Sequence, residues 1–262
     1  MTTEHLNYCK KLKRRKLAIR LAQIGILFLF FGIWELVAAL EWIDPFIISS
    51  PSRMASTLAG LIRDGMFFPH VAATLWETVV SFLLATAIGT AVAIVLWWSD
   101  TLRKVTEPYV VVLNALPKIA LGPLIIIWVG AGRAAIITMA LLISVIITTI
   151  GMLSGFNEVD KEKIQLLRAM RASKLQILTK LVLPANIPTL MSTLKINVGL
   201  SWVGTIMGEY LVSREGIGYL LVYGSQIFKL DLVMTMTLVL CLLATAMYLI
   251  VALFEKLIAR RY

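Results

Sequence analysis

Apolar residues in this chain fall into blocks of roughly twenty, separated by polar stretches. A helix of about twenty apolar residues crosses the hydrocarbon core of a bilayer, which is about 30 Å thick. The blocks predict six transmembrane helices, at 21–40, 77–98, 108–129, 134–153, 188–207 and 232–253. The third block contains Pro117 and Pro123, so we expect that helix to be broken. The predicted fold class is therefore an all-α membrane protein of about six transmembrane helices.

The segments between the blocks complete the predicted organisation. The first block is longer than the apolar core of a signal peptide and has no clear cleavage site, so we interpret it as an uncleaved helix. In the second block, Ala85, Gly89 and Ala93 form a small-residue stripe that allows close approach of another helix. The predicted divisions are a basic cytoplasmic tail at 1–20, the first transmembrane helix at 21–40, an external loop with an interfacial helix at 41–76, a core domain at 77–256 containing a cytoplasmic loop at 156–183, and a basic cytoplasmic end at 257–262.

The distribution of basic residues predicts the orientation. The chain has 25 Lys and Arg against 15 Asp and Glu, a balance that in a soluble protein would favour a nucleic-acid partner. If both ends are cytoplasmic, 18 basic residues lie inside and five outside, while Lys118 and Lys195 fall within apolar blocks. Basic residues collect on the cytoplasmic side of membrane proteins. The charge therefore predicts cytoplasmic ends and a lipid bilayer as partner, with no nucleic acid.

The sequence contains little that would support catalysis or metal binding. Cys9 and Cys241 lie in a basic tail and an apolar block, so we expect no disulfide, and His5 and His70 are interpreted as surface residues. We predict no catalytic residue, cofactor or metal ligand in this chain. An intramembrane enzyme would need a Ser/His pair, a metal cluster or paired aspartates within the apolar blocks.

A stand-alone secondary transporter is the main alternative class. Such proteins use paired carboxylates near the bilayer midplane and inverted repeats. We find no internal repeat, and only Glu35 is interpreted as a clear acid within a span, because Glu77 and Glu209 are placed close to the outer interface. The sequence therefore does not favour a secondary transporter.

The loop 156–183 carries the main functional signal. Ile164, Leu167 and Met170 recur on one helical face, and Asp160 is placed to cap the first turn. One interpretation is that this face packs against the protein's own membrane domain or lies on lipid. The other is that it docks into a groove on a partner. The amphipathic pattern alone does not decide between them.

Several motifs resemble those of one transporter family. Gln165–Pro184 resembles the cytoplasmic coupling loop of ABC importer permeases, whose pattern is Glu-Ala-Ala, three residues, Gly, and a run ending in Leu-Pro. Gln165, Leu166 and Leu167 take the Glu-Ala-Ala places, and Arg171 takes the glycine place. The stretches LNALPKIALGPLIIIWVGAG, GLSWVGTIMGEYL and GIGYL also match. Together they resemble the nitrate/sulfonate/taurine branch, which includes carriers of thiamine-precursor pyrimidines, over about Pro51–Glu255.

This resemblance implies a type I ABC importer permease fold in a multi-pass protein of the bacterial cell membrane. It implies a homodimer of permease subunits, two ATPase subunits that bind ATP and Mg²⁺, and an external substrate-binding protein. The chain has no GxxxxGK[ST] phosphate loop, in agreement with a subunit that does not itself hydrolyse ATP. The residues expected to couple it to the ATPase are Gln165, Leu166, Leu167, Arg168, Arg171, Ala172 and Ser173.

Arg171 departs from the family pattern. A glycine reaches positive φ at little cost and so permits a sharp bend between two short helices. An arginine does not. We therefore expect either that the bend is made at another residue or that the helix continues through this position.

The resemblance places the solute path at the interface of two permease copies, near the bilayer midplane. Charged residues within spans are costly and commonly serve a path or a partner. Lysines at this depth suit an anion such as a sulfonate, taurine or nitrate; the alternative solute is a small organic nutrient such as a thiamine-precursor pyrimidine. The candidate path residues are Lys118, Asn114, Lys195, Asn197, Ser201 and Trp202.

Overall fold

The computed structural model describes residues 3–259, which form helices and connecting turns without any strand. A 3-10 turn lies at Lys118–Leu121, and a π-helical turn lies at Leu178–Val182. The helices are α1 (Thr3–Ala39), α2 (Pro45–Ile48), α3 (Pro51–Arg63), α4 (Phe67–Trp98), α5 (Asp100–Ala115), α6 (Gly122–Val129), α7 (Arg133–Glu158), α8 (Lys161–Ala169), α9 (Lys174–Ile177), α10 (Leu183–Ala185), α11 (Ile187–Val212), α12 (Ile217–Gln226) and α13 (Leu230–Ala259).

The helices confirm about six spans. Four are long and apolar enough to cross a membrane alone: Leu17–Ala39 of α1, all of α4 and α7, and Leu230–Ile258 of α13. Two bent pairs supply the others. Asp100–Ala115 and Lys118–Val129 meet at 87°, and Lys174–Ala185 and Ile187–Val212 meet at 61°. The predicted break in the third span is thus present beside Pro117.

The centre of the bundle is a close antiparallel pair formed by α7 and α11. A Cβ added at Gly204 would lie 2.4 Å from the Cα of Ala140, and one at Gly208 would lie 2.9 Å from the Cα of Ile136. The two helices can approach this closely only because both glycines lack a side chain. Small residues permit the same close approach between helices in membranes generally.

Helix α4 packs against α7 through the predicted small-residue stripe. Ala85, Gly89 and Ala93 are all buried. A Cβ at Gly89 would lie 2.5 Å from the Cβ of Thr148, and the Thr149 hydroxyl donates to the Gly89 carbonyl at 3.3 Å. Three helices, α4, α7 and α11, therefore form the core that positions the remaining elements.

The other long helices surround this core. Residues of α3, α11, α12 and α13 share an apolar cluster that includes Leu61, Ile206, Ile217 and Met236. The described side chains of helix α1 are mostly exposed, and the helix is attached to the rest near Glu35, which accepts hydrogen bonds from the backbone N–H and hydroxyl of Ser52 at 3.0 and 2.7 Å. We call the end of the bundle opposite the loop 156–183 the distal end.

Some predictions concern residues that the structure describes only in part. The basic end at 257–262 is described as far as Ala259, and the basic tail from Thr3. Cys241 is a free, exposed thiol in α13, whereas the side chain of Cys9 lies outside the described part of the chain. The orientation of the two ends stays a prediction.

Candidate functional site

The loop 156–183 folds into two short helices with well-formed starts. The Asp160 carboxylate accepts from the backbone N–H of Glu162 at 2.9 Å, so the predicted cap of α8 is present. At α9 the Ser173 hydroxyl accepts from the Gln176 N–H at 3.3 Å, and the Gln176 side chain accepts from the Ser173 N–H at 2.7 Å. This reciprocal capping box fixes where α9 begins. The loop is thus an ordered element and not a flexible linker.

The bend between α8 and α9 lies at Arg171, so both of our expectations for this residue were wrong. Arg171 has a φ of 61°, in the left-handed region. Its N–H donates to the carbonyl of Arg168, and the N–H of Ala172 donates to that of Leu167, both at 2.9 Å. These two bonds form a Schellman motif, which satisfies carbonyls at the helix end. The hydrogen bonds offset the conformational strain, so an arginine occupies a position that suits glycine.

Replacing Arg171 with glycine is expected to stabilise the loop. The left-handed conformation costs a residue other than glycine about 1–2 kcal/mol, of which the greater freedom of glycine in the unfolded chain removes about 0.4–1 kcal/mol. A gain of up to about 1.6 kcal/mol should slow hydrogen exchange of the Arg168–Ser173 amides up to about fifteenfold. Arg171→Ala removes the same charge but keeps the strain. Equal slowing in both variants would mean that charge, and not backbone conformation, is the cause.

The inner face of the loop packs on the protein's own core. Ile177, Leu178 and Val182 join Met152 and Phe156 of α7 in one buried cluster. Partly buried residues that pack against this cluster are Ile94, Trp97, Leu153, Ile164, Leu167, Ala172, Leu181, Leu183 and Leu190. The inner face therefore follows the first of our two interpretations.

Lys174 attaches the start of α9 to the end of α4. Its ammonium group donates to the backbone carbonyl of Trp98 and lies 5.8 and 5.5 Å from the ring centroids of Trp97 and Trp98. A cation at a helix C-terminus interacts favourably with the helix dipole, and aromatic faces attract cations. The loop is thereby tied to the corner where α4 turns into α5.

The outer face of the same loop remains uncovered. Leu166, Met170 and Leu175 are 62%, 71% and 58% exposed. Of the seven predicted coupling residues, Leu167 and Ala172 are half-buried, whereas Gln165, Leu166, Arg168, Arg171 and Ser173 are exposed. Apolar and basic side chains therefore share a surface that nothing in the described chain covers. This arrangement is what the second interpretation, docking on a partner, requires.

Two of the candidate path residues lie together at the break in the third span. The Lys118 ammonium donates to the backbone carbonyl of Asn114 at 3.0 Å, which is one of the carbonyls left free where α5 ends. Asn114 is exposed and Lys118 is half-buried. Lys195 lies elsewhere, in α11, and forms an ion pair with Glu255 of α13 at 2.5 Å.

The other three candidates are inside the bundle. The Asn197 amide donates to the Thr148 hydroxyl at 2.6 Å, and the Ser201 hydroxyl lies 3.4 Å from that of Ser144. Trp202 is 3% exposed and packs in an apolar cluster with Phe82, Val198 and Val251. These residues join helices to one another in this conformation, and their role in a path stays a prediction.

The sequence interpretation missed a polar cluster at the distal end. Glu77 and Glu209, which we placed close to the outer interface, are each only 1% exposed. Glu77 stands at the start of the predicted span, but α4 begins ten residues earlier, at Phe67, so Glu77 lies inside the helix. His70, expected at the surface, is half-buried and accepts from the backbone N–H of Gly216 at 2.9 Å.

Known proteins share both the sequence pattern and the fold. Residues 85–262, more than half of the chain, match the family model described as binding-protein-dependent transport system inner membrane component. A probable ABC transporter permease protein of Haemophilus influenzae is 29% identical, over 86% of this chain and 90% of the relative. The taurine transport system permease protein TauC of Escherichia coli is 26% identical, over 84% and 82%.

A solved structure agrees with these matches. A chain of the MetNI methionine ABC transporter, determined in inward-facing conformations, superimposes with a TM-score of 0.64 at 21% identity. The likeness covers 71% of this chain and 93% of that one. At this identity it establishes the fold, and the fold is the predicted type I importer permease fold. The sequence matches confirm the resemblance to the taurine and sulfonate branch.

Proposed function

Because the chain belongs to the family of inner membrane components of binding-protein-dependent transport systems, we propose that it forms the path of an importer for a small sulfonate such as taurine. The protein is a multi-pass ABC importer permease subunit. The observation that carries the choice of solute is the position of Lys118, a cation at a break in a membrane helix. A relative named for taurine transport supports the same class of anion.

The path is proposed to form between two copies of this chain. The segment around Lys118 is flanked by apolar side chains that the single chain leaves exposed, on α5, the 3-10 turn and α6. A second copy would cover part of this surface and bring two Lys118 side chains to a shared path. The exposed apolar side chains here are Val105, Tyr109, Val111, Val112, Leu113, Leu116, Ile119, Ile127 and Trp128.

The energy is proposed to come from a partner ATPase that binds ATP and Mg²⁺ and docks on the outer face of the loop 156–183. The inner face of that loop is packed on α7 and attached to the end of α4 through Lys174. A displacement of the loop would therefore be passed directly to the core helices. An external binding protein would deliver the solute at the distal end.

Uptake into proteoliposomes tests this proposal. The chain is reconstituted with its partner ATPase and its external binding protein, and ATP-dependent uptake of labelled taurine is measured. Competition by ethanesulfonate and by nitrate is compared with competition by a neutral aminopyrimidine. We expect the sulfonate to compete most strongly. Uptake that is inhibited only by the pyrimidine would overturn the anion assignment, and uptake driven by an ion gradient without ATP would overturn the importer class.

Replacing Lys118 with glutamate is expected to reduce taurine uptake at least about tenfold, because reversing the charge repels an anion in the path and tenfold corresponds to only about 1.4 kcal/mol. Lys118→Arg keeps the charge and should transport normally, and Lys118→Gln should be intermediate. ATP hydrolysis without solute should be unchanged in all three. Normal uptake by Lys118→Glu would exclude this lysine from the path.

A further inference from the structure

Two glutamates face each other inside the distal end of the bundle. Glu77 extends from α4 and Glu209 from α11, and each is 1% exposed. Thr74, one turn before Glu77, accepts a hydrogen bond from the Ile217 N–H, and Glu209 accepts one from the Gly218 N–H, so the two glutamates enter the same buried site. Removing even one carboxylate from water is costly, and two neighbouring carboxyl groups in a buried site cannot both be ionised. The family match and the proposed path assign no role to this pair.

One hydrogen bond and one ion pair account for two of the four carboxyl oxygens. Glu209 Oε2 accepts from the backbone N–H of Gly218 at 2.5 Å, and Glu77 Oε1 lies 3.8 Å from Arg133 Nε. Glu77 Oε2 and Glu209 Oε1 are buried with no donor among the described residues. An unsatisfied buried oxygen costs about 1–3 kcal/mol. One proton placed between the two carboxyl groups would supply a donor and remove one of the two charges.

We propose that Glu77 and Glu209 share one proton, and that the resulting hydrogen bond between acid and carboxylate closes the distal end of the bundle. The segment that follows α11 is folded tightly around this pair. A Cβ at Gly216 would lie 2.4 Å from the Glu209 carboxyl group, and one at Gly218 would lie 2.7 Å from it. The pair therefore connects α4, α11 and the start of α12.

The surrounding charges determine how the closure responds to pH. Arg133 of α7 also pairs with the exposed Glu215 at 2.9 Å, so its charge is shared and cannot neutralise two buried carboxylates. Tyr210 of α11 adjoins Glu209. His70 Nδ1 of α4 accepts a hydrogen bond from the Gly216 N–H, and protonation of that nitrogen breaks the bond. His70 therefore weakens the closure as the pH falls. Loss of the shared proton acts on the alkaline side, where two adjacent charges would push α4 and α11 apart.

Thermal unfolding of the chain in lipid nanodiscs across a pH series tests this closure. The unfolding midpoint of the wild type is expected to fall as the pH rises from neutral to strongly alkaline. Glu209→Gln keeps the size of the side chain and an N–H donor, so its midpoint should match the wild type at neutral pH and fall less on the alkaline side. The control is Glu215→Gln, which removes an exposed carboxylate that contacts the same arginine and should leave the wild-type slope. An unchanged alkaline fall in Glu209→Gln would overturn the proposal.

Infrared spectroscopy provides a second test, and its main measurement is made on the wild-type chain. The wild-type chain at neutral pH should show the carbonyl stretch of a buried, protonated carboxylic acid. The band should vanish at the pH where the thermal midpoint falls, and it should be missing in Glu77→Gln. Lack of such a band in the wild type would show that no proton is shared. Solute specificity does not enter either experiment, so failure here leaves the proposed substrate untouched.

Discussion

Replacing Leu166 with glutamate is expected to abolish ATP-driven uptake while leaving the permease folded. Leu166 is 62% exposed on the outer face of α8, so the substitution disturbs no packing within the chain. If this face docks on an ATPase, burial of the leucine contributes about 1.5–3 kcal/mol, and a glutamate adds the cost of burying a charge. A loss of about 3 kcal/mol lowers the affinity for the ATPase roughly a hundredfold. The measurements are co-purification of the ATPase and uptake by the reconstituted complex.

A control for Leu166→Glu places acid charge on the same helix away from the apolar surface. Lys161 lies in the first turn of α8, where an acidic residue suits the helix dipole. Lys161→Glu should therefore keep the ATPase bound. Leu166→Ala should fall between the wild type and the glutamate variant. If Leu166→Glu retains the ATPase and full uptake, the outer face of the loop is not the docking surface.

Leu166 also illustrates what the sequence could establish about this loop. The apolar and basic pattern of α8 predicted an amphipathic helix. This pattern is compatible both with packing on the protein's own core and with docking on a partner. The structure shows that both interpretations hold for different residues, since Leu167 faces the core and Leu166 does not. A helical period assigns residues to faces, but it does not say what each face meets.

Arg171 and Glu77 show two different limits of sequence reasoning. At Arg171 the family glycine predicted the bend, but we weighed only the conformational cost of arginine and not the two hydrogen bonds that offset it. At Glu77 the limit was the position of the helix start. The segment 67–76 contains His70, Thr74 and other residues that break the apolar block, yet it is helical because its buried side faces α11 and α12.

The pair Glu77 and Glu209 also corrects an argument from absence. We set aside a secondary transporter partly because Glu35 was the only clear mid-span acid. The structure adds two carboxyl groups, those of Glu77 and Glu209, that are buried together at the distal end. The assignment to ABC importers now rests on the family match over residues 85–262 and on the fold, which do not depend on counting acids.

The sequence did predict the surroundings of Lys118 and Asn114. Both lie at a break in the third span, which two prolines in that apolar block predicted.

Replacing Gly204 with valine is expected to be the most destabilising single change in the core. Even the first carbon of a side chain at this position would lie 2.4 Å from the backbone Cα of Ala140. Backbone atoms cannot move aside as a flexible side chain can, so α7 and α11 would have to separate. Overpacking typically costs about 1–3 kcal/mol, and we expect a clash with the backbone to cost about 3 kcal/mol or more. At about 2–4 °C per kcal/mol, the thermal midpoint should fall by about 6–12 °C or more.

Alanine substitutions at two glycines of α11 separate the helix clash from the intrinsic effect of losing a glycine. A Cβ at Gly199 meets nothing within 4 Å, so Gly199→Ala should be neutral or gain up to about 1 kcal/mol from its higher helix propensity. Gly204→Ala receives the same propensity gain but incurs the contact with Ala140. The two variants should therefore shift the thermal midpoint in opposite directions, measured on protein in the same nanodiscs. Equal midpoints would show that α7 and α11 are not held at the distance seen here, and the close pair could not be the rigid core that positions the loop and the distal glutamates.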